Sequence, residues 1–138
     1  MMHIKKIELD KDKILKQLTA ISQIVEKDDW KLEYDSELDE LFFGKEVMPK
    51  GSFLFNVNDE LNLFVTSSSK VNGIFVEYFA LNFIQHNKKL KPVLEALANG
   101  KKGDKVKGEL AKEALEGTLL TQAIGSVFNR KKLIAAMV

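Results

Sequence analysis

The sequence predicts an α+β fold in which helices flank an antiparallel β-meander of about five short strands. Two observations indicate this. Apolar residues recur at helical spacing near the N-terminus, alternate with polar residues through the middle of the chain, and then return to helical spacing. The alternating segments are short, and turn-forming residues separate them. With 138 residues and no cysteine, the chain can form a single domain, residues 1–138, whose core needs no disulfides.

Residues 10–27 are predicted to form the first helix. Apolar side chains recur there at steps of four, three and four residues, at Ile14, Leu18, Ile21 and Val25. Asp10 stands where an N-cap residue would accept a hydrogen bond from a free backbone N–H group. We expect one helix that packs on the sheet.

Residues 30–79 are predicted to form the meander. The apolar members of its five segments are Trp30, Leu32 and Tyr34; Leu41 and Phe43; Phe53, Phe55 and Val57; Leu61, Leu63 and Val65; and Ile74, Val76 and Tyr78. Because short connections join these segments, each strand is expected to pair antiparallel with its neighbour.

The remainder is predicted to be helical, with helices in residues 79–99 and an apolar C-terminal helix at residues 108–130. That last helix has no charged residue from Gly117 to Phe128. A helix packed on one sheet needs an apolar stripe of only about 100°. The excess apolar surface predicts a homodimer, because two-fold association is the commonest way to cover it. The predicted interface residues are Leu120, Ile124, Val127 and Phe128.

Charged residues balance overall but are unevenly distributed. The net charge of +1 argues against a nucleic-acid binder, which needs many phosphate contacts. Residues 28–46 contain eight acidic side chains and two lysines, whereas residues 88–107 contain seven lysines and two acidic side chains. The lysine-rich stretch has no aromatic residue on which a base could stack. We expect a protein partner and no cofactor.

The N-terminal residues resemble no signal peptide, and no uncharged run is long enough to cross a bilayer. Together with the absence of cysteine, this predicts a cytoplasmic protein that has no membrane partner.

The acidic turn of the first hairpin is the most conspicuous candidate site. Asp35, Glu37 and Asp39 alternate as the first ligands of a calcium loop do, and Glu46 follows Asp35 by eleven residues. Glu40, however, stands where such a loop needs glycine. The competing interpretation is a polar turn in which Asp35 accepts hydrogen bonds from the backbone that follows it. The candidate metal ligands are therefore Asp35, Glu37 and Asp39.

Histidine chemistry has little support in the sequence. His3 and His86 are the only histidines, and without cysteine they cannot supply a common zinc ligand set. No serine near His86 lies in the sequence context of a hydrolase nucleophile. We interpret His86 as a polar residue at a helix C-terminus, where the helix dipole favours it. No catalytic residue is predicted.

Two segments carry a family resemblance. Residues 34–42, Tyr-Asp-Ser-Glu-Leu-Asp-Glu-Leu-Phe, and residues 71–77, Val-Asn-Gly-Ile-Phe-Val-Glu, resemble a family of short bacterial and archaeal proteins of unknown function. That family shares a Tyr-Asp-x-Glu-x-Asp-x-Leu-Tyr hairpin, in which Phe42 replaces the last tyrosine here. The resemblance covers about residues 30–79 and implies a small β-meander. Some members are encoded beside candidate toxins, which implies an antitoxin-like interaction role.

These observations predict a non-catalytic protein-interaction module, because no acid, base and nucleophile converge in the sequence. The alternative, from another class of function, is a metal-dependent hydrolase or nuclease that uses the acidic hairpin. Its candidate residues are Asp35, Glu37, Asp39 and Glu77.

Overall fold

The computed structural model describes residues 5–46, 50–92 and 109–137, and of residues 109–116 the backbone alone. The strands are β1 (Lys6–Leu9), β2 (Lys31–Asp35), β3 (Glu40–Gly44), β4 (Phe53–Asn56), β5 (Leu61–Val65), β6 (Val71–Glu77) and β7 (Leu133–Met137). The α-helices are α1 (Lys11–Thr19), α2 (Ile21–Lys27), α3 (Ile84–His86) and α4 (Glu109–Phe128). A π-helix (Phe79–Phe83) precedes α3, and a 3-10 helix (Lys88–Leu90) follows it.

The strands of the described residues form one antiparallel sheet in the order β1-β7-β4-β5-β6-β3-β2. This confirms the α+β class, but the sheet has seven strands, not about five, and it is not a sequential meander. Strands that follow one another in the chain are neighbours only within the β2–β3 hairpin and within β4, β5 and β6. Strand β3 pairs with β6 and not with β4, so the β2–β3 hairpin lies beyond β6. The register places Leu41 opposite Val76 and Phe43 opposite Ile74, which buries these four apolar side chains.

The sequence does not predict β1 and β7. Strand β1 has only four residues, and β7 contains two alanines, which have low β-propensity. The two strands pair with each other, and β7 also pairs with β4. Leu9, Leu133 and Ala135 are buried by this pairing and by the helices above it. Both strands therefore depend on tertiary contacts more than on local preference.

The helices enclose the main core against one face of the sheet. Their buried side chains are Ile14, Leu18, Ile21 and Val25 from α1 and α2, and Leu119, Ala123 and Val127 from α4. The Asp10 side chain caps α1 by accepting a hydrogen bond from the Lys13 N–H group at 3.1 Å.

The helix predicted at residues 10–27 is divided at Ala20, which leaves the helical backbone region (φ −111°, ψ 23°). Immediately before it, the Thr19 hydroxyl donates to the Lys16 carbonyl at 2.8 Å. Such side-chain bonds compete with the backbone bonds that a continuous helix needs.

The C-terminal end of α4 is attached to the sheet through polar contacts. The Ser126 hydroxyl donates to the Val57 carbonyl at 2.7 Å, and the Arg130 guanidinium donates to the same carbonyl. Lys11 of α1 donates to the carbonyls of Phe128 and Arg130 at 2.8 and 2.7 Å. The bond from Lys11 to Phe128 satisfies a carbonyl at the helix terminus, which has no partner within the helix.

The helices predicted at residues 79–99 begin as the π-helix and α3. The π-helix is defined by a hydrogen bond from the Phe83 N–H group to the Tyr78 carbonyl, five residues earlier. The part of this predicted region beyond residue 92, with the later lysines of the basic stretch, lies outside the described residues.

Candidate protein-interaction site at the hairpin tip

The candidate site lies where the turn of the β2–β3 hairpin meets the end of β6. We call residues 35–40 and 77–81 the hairpin tip. Glu40 of β3 is paired with Glu77 of β6, and the Phe79 N–H group donates to the Asp39 carbonyl at 3.0 Å. Beside the tip, the rings of Phe42 and Phe75 stack with centroids 4.7 Å apart. The turn and the first residues of the π-helix therefore form one surface.

The buried Asp39 carboxylate holds this surface together. Its Oδ1 accepts hydrogen bonds from the Tyr34 hydroxyl and the Ala80 N–H group, both at 2.7 Å. Its Oδ2 accepts from the Leu81 N–H group at 3.0 Å. Backbone N–H groups at the start of a helix have no acceptor within the helix, so Asp39 supplies one. Burial, and then the hydrogen bond to Asp39, raises the pKa of Tyr34, which keeps its hydroxyl a donor.

Two residues of the hairpin tip have left-handed backbone conformations. The φ angle is 55° at Asp39 and 51° at Tyr78. Aspartate tolerates this region, but for a bulky residue such as tyrosine it is an outlier. A residue held in such a conformation costs about 1–3 kcal/mol, and such residues concentrate at functional sites. The hydrogen bonds from residues 79–81 to Asp39 offset this strain and hold the two segments in place.

Three large apolar side chains of the hairpin tip are exposed to solvent. The exposed fractions are 63% for Leu38, 55% for Tyr78 and 74% for Leu81. The backbone places them around Asp39: Leu38 precedes it, the Leu81 N–H group binds its carboxylate, and Tyr78 leads into the π-helix. All three belong to segments that hydrogen bonds to Asp39 join, whereas single exposed apolar residues scattered over a surface are normal.

Carboxylates surround these apolar side chains. Asp35 and Glu37 lie on the turn, and Glu40 faces Glu77 directly across the β3–β6 pair. Burial, then repulsion from Glu77 and from Asp35, raises the pKa of Glu40. The hairpin tip contains no lysine or arginine. It is therefore an apolar surface within a negative field.

Replacing Glu40 with glutamine is expected to stabilise the fold at pH 7. A carboxyl group whose pKa is raised on folding contributes stability below its unfolded pKa, and this contribution is lost as the pH rises through the folded pKa. Like charges directly opposite each other in a sheet destabilise the fold by a few tenths of a kcal/mol or more. We therefore expect Glu40→Gln to raise the free energy of unfolding, measured with urea, by about 0.2–0.5 kcal/mol.

At about pH 3, where the carboxyl group is protonated in both states, the gain should disappear. Glu37→Gln, in the exposed turn, is the matched control. An equal gain at both pH values, or a loss at pH 7, would contradict the repulsion between Glu40 and Glu77.

Two of the three candidate metal ligands, Asp35 and Asp39, accept hydrogen bonds within the chain. The Asp35 Oδ1 atom accepts hydrogen bonds from the N–H groups of Glu37 and Leu38 at 3.0 and 3.1 Å, which is the polar turn of the competing interpretation. Both Asp39 oxygens accept hydrogen bonds within the chain. Among residues 5–46, 50–92 and 117–137, no three histidine, aspartate or glutamate side chains are grouped as metal ligands would be.

The residues predicted to form a dimer interface have different environments on α4. Val127 is fully buried in the chain's own core, so its side chain cannot reach a partner. Leu120 and Ile124 are partly buried and pack against that core. Phe128 is 67% exposed, and the Lys11 Nζ atom lies 5.7 Å from its ring centroid.

The homodimer stays a prediction, and Phe128 is the residue that tests it. At high micromolar concentration, light scattering should give the mass of a dimer, and Phe128→Glu should give a folded monomer. Ile134→Glu, at an exposed apolar position of β7, is the control and should remain dimeric. A wild-type protein that is monomeric at this concentration would exclude the dimer.

The sequence does not predict that Tyr78 and Leu81 belong to the hairpin tip. The period of two predicts that Tyr78 points into the core, but β6 ends at Glu77 and the left-handed turn at Tyr78 leaves its side chain half exposed. Leu81 falls in an apolar segment with no sign of exposure. The one sequence feature that indicates a functional surface here is the acidic hairpin, which contains Asp39.

Comparison with protein families, curated proteins and solved structures finds no match for this chain. Within the described residues, none of the helices has the length and apolar character needed to cross a membrane. The function must therefore be argued from the chain's own surfaces.

Proposed function

We propose that this chain is a non-catalytic protein-interaction module whose hairpin tip binds a basic amphipathic segment of a partner protein. The observation that carries this proposal is the grouping of Leu38, Tyr78 and Leu81 on a fixed surface surrounded by carboxylates. An antitoxin-like role would be one form of this function.

The apolar part of the surface would supply most of the affinity. Leu81 is the most exposed of the three side chains, and burying a leucine side chain contributes about 1.5–3 kcal/mol. Aromatic residues such as Tyr78 are enriched at interfaces because they add contact area while losing little conformational entropy. Because the Asp39 hydrogen bonds already fix the backbone, binding would need little ordering of the tip.

The carboxylates would select the partner's charge. Asp35, Glu37, Glu40 and Glu77 present four acidic groups beside the apolar side chains, and none is paired with a lysine or arginine among the described residues. A complementary segment therefore carries lysine or arginine next to its apolar residues. Such charges would accelerate association and exclude acidic partners.

Binding can be measured by fluorescence anisotropy with two labelled amphipathic helical peptides of equal length, one built from leucine and lysine and the other from leucine and glutamate. The full-length chain should bind the lysine peptide, less tightly at high salt, and should not bind the glutamate peptide. Leu81→Ser should weaken binding about tenfold, because it removes apolar contact worth about 1.4 kcal/mol.

Ile134→Ser is the matched control, since Ile134 is an exposed apolar residue outside the hairpin tip. Equal affinity for both peptides, or no effect of Leu81→Ser, would refute the proposal. If the protein alone self-associated, and Leu81→Ser abolished that association, the occupant would be a second copy of the chain and not a different protein.

A further inference from the structure

A second cluster of polar side chains joins the β4–β5 turn to the end of α3. Glu60, which precedes β5, is 9% exposed, and its Oε1 atom lies 2.7 Å from Nδ1 of His86. Its Oε2 atom has no hydrogen-bond partner within the described residues. A buried carboxylate is unfavourable without a donor or a positive charge beside it. His86 is therefore the group that stabilises Glu60.

Both members of the pair are held in place by neighbouring side chains. The Asn58 Oδ1 atom accepts a hydrogen bond from the Glu60 N–H group at 3.0 Å, which fixes the turn. Asn87, next to His86, accepts a hydrogen bond from Gln122 of α4 at 3.1 Å. The pair thus lies between two anchored segments, and the Glu60 carbonyl also accepts a hydrogen bond from the Glu77 N–H group at 2.9 Å, which joins its backbone to the end of β6.

The imidazole orientation follows from this contact. Because a carboxylate oxygen is an acceptor, Nδ1 of His86 must carry the hydrogen that is donated to Glu60. The other ring nitrogen, Nε2, points away from Glu60. His86 lines a cleft of about 470 Å³, together with Gln85, Asn87, Lys88, Lys89 and Thr118. Clefts of this volume are in the range that holds small molecules.

Among the residues that the structure describes, the charged groups that line this cleft are basic: Lys88, Lys89 and, when both ring nitrogens carry a proton, His86. We propose that the cleft binds the phosphate group of a small phosphorylated molecule. The His86 Nε2–H group and the two ammonium groups would donate hydrogen bonds to phosphate oxygens. Such hydrogen bonds are strong because both partners are charged. Three positive groups would balance Glu60 and a doubly charged phosphate.

Glu60 has a defined part in this proposal. It would act as the counter-ion of the imidazolium and hold the ring so that Nε2 faces the phosphate, as a carboxylate does for other functional histidines. None of the described residues that line the cleft is aromatic, so they offer no surface on which a nucleic-acid base could stack. A phosphate monoester therefore fits better than a nucleic-acid backbone.

Isothermal titration of the full chain with glycerol 2-phosphate, inorganic phosphate and a single-stranded oligonucleotide tests this site. We expect glycerol 2-phosphate to bind, and His86→Gln and the double variant Lys88→Gln/Lys89→Gln each to weaken binding about tenfold. Glutamine keeps an N–H donor for the buried Glu60 carboxylate, so the His86→Gln variant should still fold, which thermal melting can verify. The matched control is Lys70→Gln, a lysine that pairs with Asp28 instead.

The outcomes are distinct. If inorganic phosphate bound as tightly as glycerol 2-phosphate, the cleft would still be a phosphate site, and its ligand could be the free ion. No heat of binding at about 10 mM ligand would overturn the proposal, as would unchanged affinity in the His86 and lysine variants. Binding of the oligonucleotide alone would also overturn it. Because none of these variants lies in the hairpin tip, failure here leaves the proposed protein-interaction function intact.

Discussion

Replacing Phe55 with alanine is expected to lower the free energy of unfolding by about 3–5 kcal/mol, the usual range for a buried phenylalanine. Phe55 of β4 is fully buried, and its partner on the adjacent strand β5 is Leu63. The Arg130 guanidinium lies 5.2 Å from its ring centroid, so the substitution would also loosen the attachment of α4. Because small domains have only about 5–15 kcal/mol of stability, this loss threatens folding itself.

Denaturant unfolding monitored by circular dichroism measures this loss, and Glu37→Ala is the control. Glu37 lies exposed in the hairpin turn, so its replacement should change stability by less than about 0.5 kcal/mol. If Glu37→Ala proved more destabilising than Phe55→Ala, the assignment of the core to this face of the sheet would be wrong.

Asp39→Ala is expected to cost about 2–4 kcal/mol, although Asp39 belongs to a surface turn. The substitution leaves the N–H groups of Ala80 and Leu81 without their acceptor, and hydrogen bonds to a charged group are worth about 1.5–3 kcal/mol. It also places alanine in a left-handed conformation, which costs about 1–2 kcal/mol. These terms are not additive, so the expected total is below their sum.

Two further variants separate these causes in thermal and urea unfolding. Asp39→Asn tolerates the left-handed backbone and keeps one acceptor oxygen, so its loss should be intermediate. Asp35→Ala removes an acidic residue whose hydrogen bonds are exposed, and should cost less than about 1 kcal/mol. A loss below about 0.5 kcal/mol in Asp39→Ala would show that this carboxylate does not hold the tip.

Thermal unfolding of the wild type and of Asp39→Asn also tests the metal hypothesis. If Ca²⁺, Mg²⁺ or Mn²⁺ raised the melting temperature of the wild type but not of Asp39→Asn, a metal site at the acidic hairpin would replace the structural role described for Asp39. Ligand at a hundred times its Kd should stabilise the native state by about 2.7 kcal/mol, so the effect would be easy to detect.

The strands of the central sheet could be predicted because apolar residues recur at every second position of the sequence there. Phe53, Phe55, Leu61 and Leu63 all face the core, as their period of two requires. The order of the strands could not be predicted. Nothing in the turn residues indicates that β3 will pair with β6 and not with β4, because an apolar strand can pair with either neighbour on the same face.

The hairpin tip was only partly predictable for a similar reason. The acidic residues and the Asp35 turn are local features, and the structure contains that turn. The exposure of Tyr78 and Leu81 depends on hydrogen bonds between Asp39 and residues about 40 positions later in the chain. Likewise, the contact between Glu60 and His86 joins residues 26 positions apart, which no short motif records.

The docking of a basic amphipathic segment on the hairpin tip can be tested by titrating the ¹⁵N-labelled full-length chain with the leucine–lysine peptide and recording amide chemical shifts. We expect the largest shifts at residues 36–40 and 77–82, with little change at Phe128 or Ile134. Shifts concentrated on α4 and β7, or no shifts at all, would contradict it.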